Sequence, residues 1–221
     1  MPPFWLLLRS WFERIELDRS RTTELPVVRA VLWRGRLRLD APSVNYSYGS
    51  LHTILAAALR EIDITAIAPR SVLVLGLGAG SAVHLLRRTH RIHAPIVAVE
   101  LDPEVVRLAR QHFGLDRWRD LEIVVGDAAQ FVERDPRRFD LVIVDVFVDA
   151  SVPAPLRAPR FLQAVQQRLQ PGALLLFNVV ANRVDAAREV DALETALREV
   201  LPDVRSLAVR DNVVFVARRA R

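Results

Sequence analysis

Four apolar runs in this chain each end in a polar or glycine signal. Val72-Leu73-Val74-Leu75 runs into Gly76-Leu77-Gly78-Ala79-Gly80, and Ile96 to Val99 runs into Glu100. Leu121 to Val125 runs into Gly126-Asp127-Ala128, and Leu141 to Val144 into Asp145. Gly76, Gly78 and Gly80 let backbone amides approach a ligand beside the start of a helix. The dinucleotide fingerprint wants its third glycine three positions after the second, whereas Gly80 follows Gly78 by two, so nicotinamide binding is disfavoured. Glu100 stands 24 residues after Gly76, where a carboxylate can accept both hydroxyls of an adenosine ribose. Each signal has a plainer reading on its own: a tight turn, a helix cap at Glu100 or Asp127, a surface acid at Asp145. Together they place polar groups at the carboxyl edge of one sheet, where open α/β sheets bind ligands.

The elements that must hold these residues follow from periodicity. The runs named above, with Leu174 to Phe177, are short and almost continuously apolar, as in a parallel sheet covered on both faces. Helices are predicted between them at Ser81 to Arg88, Pro103 to His112, Ala128 to Arg134 and Pro159 to Leu169. Asp102 and Pro103 form an N-cap and first-turn pair, and Gly114 is a stop. Asp185 to Val200 reads as a longer helix ended by Pro202. Val204 to Leu207 and Val213 to Val216 read as a terminal antiparallel hairpin. Ahead of all this, Glu13 to Asp40 alternates with period two, and Gly35 is the expected turn of a hairpin. Two or three such strands are marginal alone and must pack on the larger unit or on another subunit. Asp40 to Gly49 reads as a linker, and Ser50 opens a helix with Leu51, Ile54, Leu55, Ala58 and Leu59 on one face. The expected division is a small β-region over 1–45 and an α/β domain over 46–221.

Composition narrows the chemistry. With 221 residues, one medium domain plus a small appendage is expected. The apolar fraction of 51% is ample for a large core and too high for a disordered chain. Cysteine is absent, which excludes disulfides, thiolate nucleophiles and cysteine metal sites. All 31 basic residues are arginine, so lysine Schiff-base chemistry is excluded as well. The net charge of +5 is spread among acids without a basic stripe, so no nucleic-acid partner is expected. No apolar run is long enough for a membrane helix, so no membrane partner is expected and a cytoplasmic location is read. His84, His90 and His93 have no convincing ligand spacing, and no metal is expected. Trp5, Trp11 and Phe12 read as a segment packed on the domain, with membrane or subunit contact as alternatives. Exposed strand edges leave room for a homodimer.

These motifs carry a family resemblance. The loop Gly76 to Gly80, Val99-Glu100-Leu101-Asp102-Pro103, Gly126-Asp127-Ala128 and Phe139 to Asp145 resemble the class I, S-adenosylmethionine-dependent methyltransferase fold. With the small β-region ahead of them they are similar, more narrowly, to its spermidine synthase (polyamine aminopropyltransferase) branch. The resemblance implies a Rossmann-like sheet, mostly parallel with a C-terminal antiparallel hairpin. It implies that Gly76, Gly78 and Gly80 line the cofactor, that Glu100 holds the ribose, that Asp127 and Ala128 recognise adenine, and that Asp145 lies near the donor's amine end. True aminopropyltransferases resemble one another further in Asp-Ser-Ser-Asp after the fourth strand. This chain has Asp145-Val146-Phe147-Val148, with Asp149 one position late. Where the family tends to carry Tyr-Gln or Tyr-His, Leu51-His52 stands here, with Tyr46 and Tyr48 shortly before.

The expected catalytic acids are therefore Asp145 and Asp149, and the expected substrate contacts are Tyr48, His52, Phe147 and Asn178. A cationic acceptor wants a cluster of carboxylates, and the loop after the fourth strand offers two. The first functional expectation is an S-adenosylmethionine-dependent methyltransferase acting on a small molecule by in-line attack at the sulfonium-bound carbon. The alternative is an aminopropyltransferase using decarboxylated S-adenosylmethionine and putrescine. A third reading is a catalytically silent homologue that binds the nucleoside without turnover. The loop 146–159, with Pro153, Pro155 and Pro159, is expected either to cover the acceptor or to act as a plain crossover.

Overall fold

The computed structural model describes residues 3–21, 27–40, 45–47, 50–148, 151–182 and 186–221, with backbone only for 45–47, 50 and 51. The elements in chain order begin with helix α1 (Phe4–Arg9) and the strands β1 (Ile15–Arg19), β2 (Arg29–Trp33), β3 (Arg36–Asp40) and β4 (Asn45–Ser47). There follow α2 (Ser50–Glu61), α3 (Ile64–Ile67), β5 (Val72–Leu75), α4 (Ser81–His84), β6 (Ile96–Glu100), α5 (Pro103–Phe113) and β7 (Leu121–Val125). The chain ends with α6 (Ala128–Arg134), β8 (Phe139–Val144), α7 (Pro159–Arg168), β9 (Leu169–Val180), α8 (Ala186–Val200), β10 (Asp203–Val209) and β11 (Asn212–Arg218).

The large sheet has the order β10-β11-β9-β8-β5-β6-β7. Its five strands from β9 to β7 are parallel, and β11 and β10 add antiparallel. Every residue of β5 is buried, because helices cover both faces at the centre. At the edge, no residue of β7 is fully buried, and Val125 is exposed there. The core is one continuous apolar mass running from α2 through β5, β6 and β8 to β9 and β11.

Two predicted boundaries shift for local reasons. The helix expected over Ser81 to Arg88 is regular only to His84 and continues as a π-helical turn, Leu85–Thr89, before the left-handed Arg91. Arg87 is buried there, and its guanidinium donates to the Ile92 carbonyl at 2.6 Å. The stretch read as a linker contains β4, which pairs with β3 and so lengthens the small sheet.

That sheet has the order β1-β2-β3-β4. Arg34 and Gly35 both take positive φ (49° and 71°) between β2 and β3, as a two-residue hairpin of this hand requires. The Ser10 hydroxyl accepts from the Gly35 amide at 2.9 Å and fastens α1 to the turn. The sheet packs on the larger unit through a second core in which Val28, Ala30 and Leu39 meet Ala79 of the glycine loop and Val105, Leu108 and Phe113 of α5. The expectation that the N-terminal aromatics pack on the domain is corrected. Phe4, Trp5, Leu8, Trp11 and Phe12 are all exposed, since a six-residue helix with scarcely a polar position has too little surface against the hairpin to cover them. No helix among the described residues is long and apolar enough to cross a membrane.

A charged clamp ties the two sheets. Arg107 on α5 donates to Asp18 on β1 through Nη1 (2.7 Å) and Nη2 (3.4 Å), to both oxygens of Glu104 through Nε, and to the Arg19 carbonyl. His112 Nε2 lies 3.2 Å from Asp18 Oδ2. The guanidinium beside Asp18 holds its carboxyl well below the usual carboxylate range, against a smaller opposing effect of burial. A carboxyl depressed in the folded state stabilises the protein fully above its unfolded pKa and loses that contribution as the pH falls. Thermal melts of the wild type should therefore fall as the pH drops below about 4. Asp18→Asn should lower the pH 7 midpoint by about 2–6 °C and flatten that acid limb. An unchanged acid limb in the variant would show that the clamp does not couple the sheets.

Candidate functional site

The sheet order reverses direction at β5, between β8 on one side and β6 on the other, and the polar signals gather at that switch point. Gly76 leaves β5 with φ 91°, and a Cβ on it would drive into the backbone carbonyl of Asp145. Only glycine allows both the conformation and the approach. Gly80 has φ 81°, and a Cβ there would sit 2.5 Å from the Leu115 side chain. The two glycines press the loop between β8 and the turn after α5, and Ala79 anchors it on the small sheet.

Glu100 closes β6 beneath this loop. Its Oε2 accepts from the Gly78 amide at 2.9 Å, and its Oε1 from the Asp102 amide at 3.2 Å. Burial pushes its carboxyl up, and the Gly78, Asp102 and Leu101 amides oppose that rise. A carboxylate has about four lone-pair sites, so two backbone bonds leave capacity for ribose hydroxyls. Asp102 caps α5 through the Glu104 amide at 2.8 Å. Asp127 caps α6 by accepting from the Gln130 amide at 2.8 Å, so its plain structural role is present, and it also faces the cavity.

Asp145 follows β8. Asn178 on β9 donates Nδ2 to its Oδ1 at 2.9 Å, and burial pushes the Asp145 carboxyl up to about 6 against that hydrogen bond. Beyond it Val148 and Ser151 exchange backbone hydrogen bonds, both 2.9 Å. Glu189 of α8 receives the Ser151 hydroxyl and pairs with Arg157, which holds the segment from Ser151 to Arg157 against α8.

These residues enclose a cavity of about 260 Å³. Of the residues expected from sequence, Gly76, Gly78, Glu100, Asp127, Ala128, Asp145 and Phe147 lie on its lining. Pro153, Pro155 and Leu156 form one wall, so the loop after Asp145 borders the cavity. Gly80 sits behind the lining. Asn178 is 1% exposed and reaches the site through Asp145. His52 lies half-buried on α2, off the lining, where burial and the Arg36 charge push its imidazole pKa down. Tyr48 and Asp149 lie outside the described residues.

Sequence reading missed Ser81, Val99 and Leu101 on the lining, and Asn212 behind it. Ser81 is 6% exposed, and its hydroxyl makes no hydrogen bond among the described residues. Its place directly after the glycine turn was the available signal. Asn212 gave none, because it meets Asn178 only across the sheet.

Three carboxylates, Glu100, Asp127 and Asp145, face the cavity, and among the described residues no cationic side chain does. A Cβ on Gly126 would meet nothing within 4 Å, which leaves a flat recess beside Asp127. A carboxylate with spare lone pairs, an open glycine recess and an acidic far end are compatible with an adenosyl sulfonium: a sugar, a flat base and a positive centre. The class thus defined is a Rossmann-like protein with the S-adenosylmethionine-binding fold.

The spermine/spermidine synthase domain model matches residues 56–209, and the chain belongs to that family. Among curated proteins it is 31% identical over 134 residues to polyamine aminopropyltransferase 2 of Hyperthermus butylicus, covering 57% of this chain and 43% of that protein. It is 31% identical over 153 residues to an eEF1A lysine and N-terminal methyltransferase homolog of Drosophila melanogaster, covering 65% of this chain and 22% of that one. The chain thus spans between about a fifth and under half of these relatives' length. Among solved structures, spermidine synthase from Thermotoga maritima shares the fold with a TM-score of 0.73 at 16% identity, over 93% of this chain and 73% of that one. Human methyltransferase-like protein 13 in complex with SAH shares it at 0.65 and 23% identity, over 79% and 83%.

The two glycines at the ends of the site separate packing from binding. Gly76→Ala should cost about 3–5 kcal/mol in urea unfolding, from strain plus overlap with the Asp145 carbonyl. Gly126→Ala should leave the unfolding midpoint nearly unchanged and weaken S-adenosylhomocysteine binding by about 10-fold or more in calorimetry. Equal effects of both substitutions on stability would contradict this division.

Proposed function

We propose that the chain is a transferase that moves an alkyl group from an adenosyl sulfonium donor to a small amine. Within that class the reading the site supports best is aminopropyl transfer from decarboxylated S-adenosylmethionine. The observation that carries it is the charge of the lining: three carboxylates and, among the described residues, no cation. Decarboxylated S-adenosylmethionine is a dication, whereas S-adenosylmethionine adds a carboxylate that such a cavity repels. The sequence alone set methyl transfer first, because the loop after β8 lacks the family's second aspartate. The acidic lining and the family match move the weight to the alternative.

When bound, the sulfonium supplies a carbon whose bond to sulfur breaks with the electron pair going to sulfur. The chain's own residues supply position and protonation state. Glu100 holds the nucleoside by its sugar, and the Gly76–Gly80 loop and Gly126 admit it closely. Phe147, Val146 and the Pro153–Leu156 wall keep water from the reacting end. Asp145 holds the amine there and takes the proton that the nitrogen sheds as its new bond to carbon forms. A carboxyl with a pKa raised toward 6 is a better proton acceptor than an ordinary aspartate and is still ionised at neutral pH.

Methyl transfer is the second reading, and Ser81 favours it. Its buried hydroxyl on the lining, without a partner among the described residues, is a donor for a methionine carboxylate.

Calorimetric titration with the two donors, and NAD as control, separates these readings. Aminopropyl transfer predicts at least about 10-fold tighter binding of the decarboxylated donor, falling as the pH drops below about 6 and Asp145 takes a proton. Tighter binding of S-adenosylmethionine, reversed by Ser81→Ala, would establish the methyl reading. Binding of neither would remove both. Asp145→Asn provides a linked check through stability. A carboxyl raised in the folded state contributes its stability below the unfolded pKa and loses it as the pH rises through the folded value. The variant should therefore melt about 3–6 °C higher than wild type at pH 7.5, lose that advantage near pH 4, and bind the donor at least about 10-fold more weakly at pH 7.5.

A further inference from the structure

Asp145 does not end the polar chain at the sheet edge. Asn178 donates to it from β9, and Asn212, the first residue of β11, donates its own Nδ2 to Asn178 Oδ1 at 2.9 Å. Strands β8, β9 and β11 are neighbours in that order, and Asn178 pairs with Val214, two residues beyond Asn212. The period of two along a strand therefore puts both amides on one face. Asn178 and Asn212 are 1% and 4% exposed.

The direction of this chain is dictated from one end. An ionised carboxylate only accepts, so Asn178 must present its NH₂ to Asp145. Its carbonyl oxygen is then left facing β11 and needs a donor, which the Asn212 amide supplies. Without that donor the Asn178 oxygen is left buried and unpaired, and the amide loses the contact that fixes its plane against the carboxylate. Buried polar groups that lose a partner reorganise or cost stability, and a buried carboxylate whose hydrogen-bond donor is less well held takes up a proton more readily.

We propose that Asn212 is a positioning residue, acting through Asn178 to fix the carboxylate of Asp145 at the reacting end of the cavity, an inference that rests on Asp145 being the acid of the transfer site. Burial works against the charge of Asp145, and the Asn178 hydrogen bond works for it. The other charged groups on surrounding elements are Glu100 and Asp127 across the cavity and the Arg157–Glu189 pair behind the loop. Further out are Arg160 with Glu133 between α7 and α6, and Arg210 and Asp211 in the turn before β11. None of these charges is carried by Asn212, so a shift of Asp145 in variants that remove only an uncharged amide reports the relay.

The test is a carboxyl-carbon NMR titration of Asp145 in the full chain, for wild type, Asn212→Leu and Asn212→Ala, with thermal melts to check folding. Calorimetry with decarboxylated S-adenosylmethionine follows at pH 6, 7 and 8. The wild type should titrate near 6. Both variants should titrate about one pH unit higher, and donor affinity should fall about 5-fold at pH 6 and about 2-fold at pH 7, and recover at pH 8. A purely structural Asn212 would lower the melting temperature and leave the titration midpoint alone, which would overturn the proposal. If neither variant folds, the wild type still decides: the side-chain NH₂ resonances of Asn178 and Asn212 should both shift with the midpoint of Asp145, and a silent Asn212 overturns the relay. A shifted titration in a protein that binds neither donor would uphold the relay and remove the transferase reading.

Discussion

The backbone of Gly76 lies against the carbonyl of Asp145, and the rest of the site depends on that approach. Two parallel strands that pair along β5 and β8 must part at their carboxyl ends for a crevice to open. A side chain at Gly76 would push the loop away before it could turn. With glycine there, the loop folds back over Glu100 and brings the Gly78 amide onto its carboxylate. Gly80 repeats the constraint on the far side against Leu115, so the loop is held between two packed surfaces. Its shape is set before any ligand arrives, which is the condition for positioning a reactant without reorganisation.

Electrostatics follows from this geometry. Three acids at strand ends would repel one another and resist burial, and each is offset by a local hydrogen bond. Glu100 has two backbone amides, Asp127 has the amide it caps, and Asp145 has Asn178. These bonds leave carboxylates facing a cavity with no cationic lining among the described residues. A lining of this charge attracts cations, and burial, opposed by the Asn178 hydrogen bond, pushes the Asp145 carboxyl up to about 6.

The small N-terminal sheet belongs to this support system. Val28, Ala30 and Leu39 reach Ala79 and α5, and Asp18 grips Arg107 from the edge strand. The glycine loop is thus backed on its outer side by a separate sheet. The N-terminal aromatics take no part in that contact and stay exposed.

What the sequence by itself determined is the local chemistry. Continuous apolar runs ending in Gly76, Glu100, Asp127 and Asp145 define strands and their carboxyl ends, because period and punctuation are short-range properties. The helices after them are legible from caps such as Asp102 with Pro103, and so are the first hairpin from Gly35 and the terminal one from the apolar runs Val204 to Leu207 and Val213 to Val216. Tertiary structure alone decided which strands are neighbours. The order placing β8 beside β5, and β11 beside β9, joins Asn212 to Asn178 and Asp145 although 34 and 33 positions separate the pairs along the chain. It also set His52 off the cavity lining, put the Ser81 hydroxyl, which has no hydrogen-bond partner among the described residues, on it, and packed Ala79 on the small sheet. Those contacts depend on the relative placement of whole elements, which is set by the packing of faces far apart in the chain, and no local spacing encodes it.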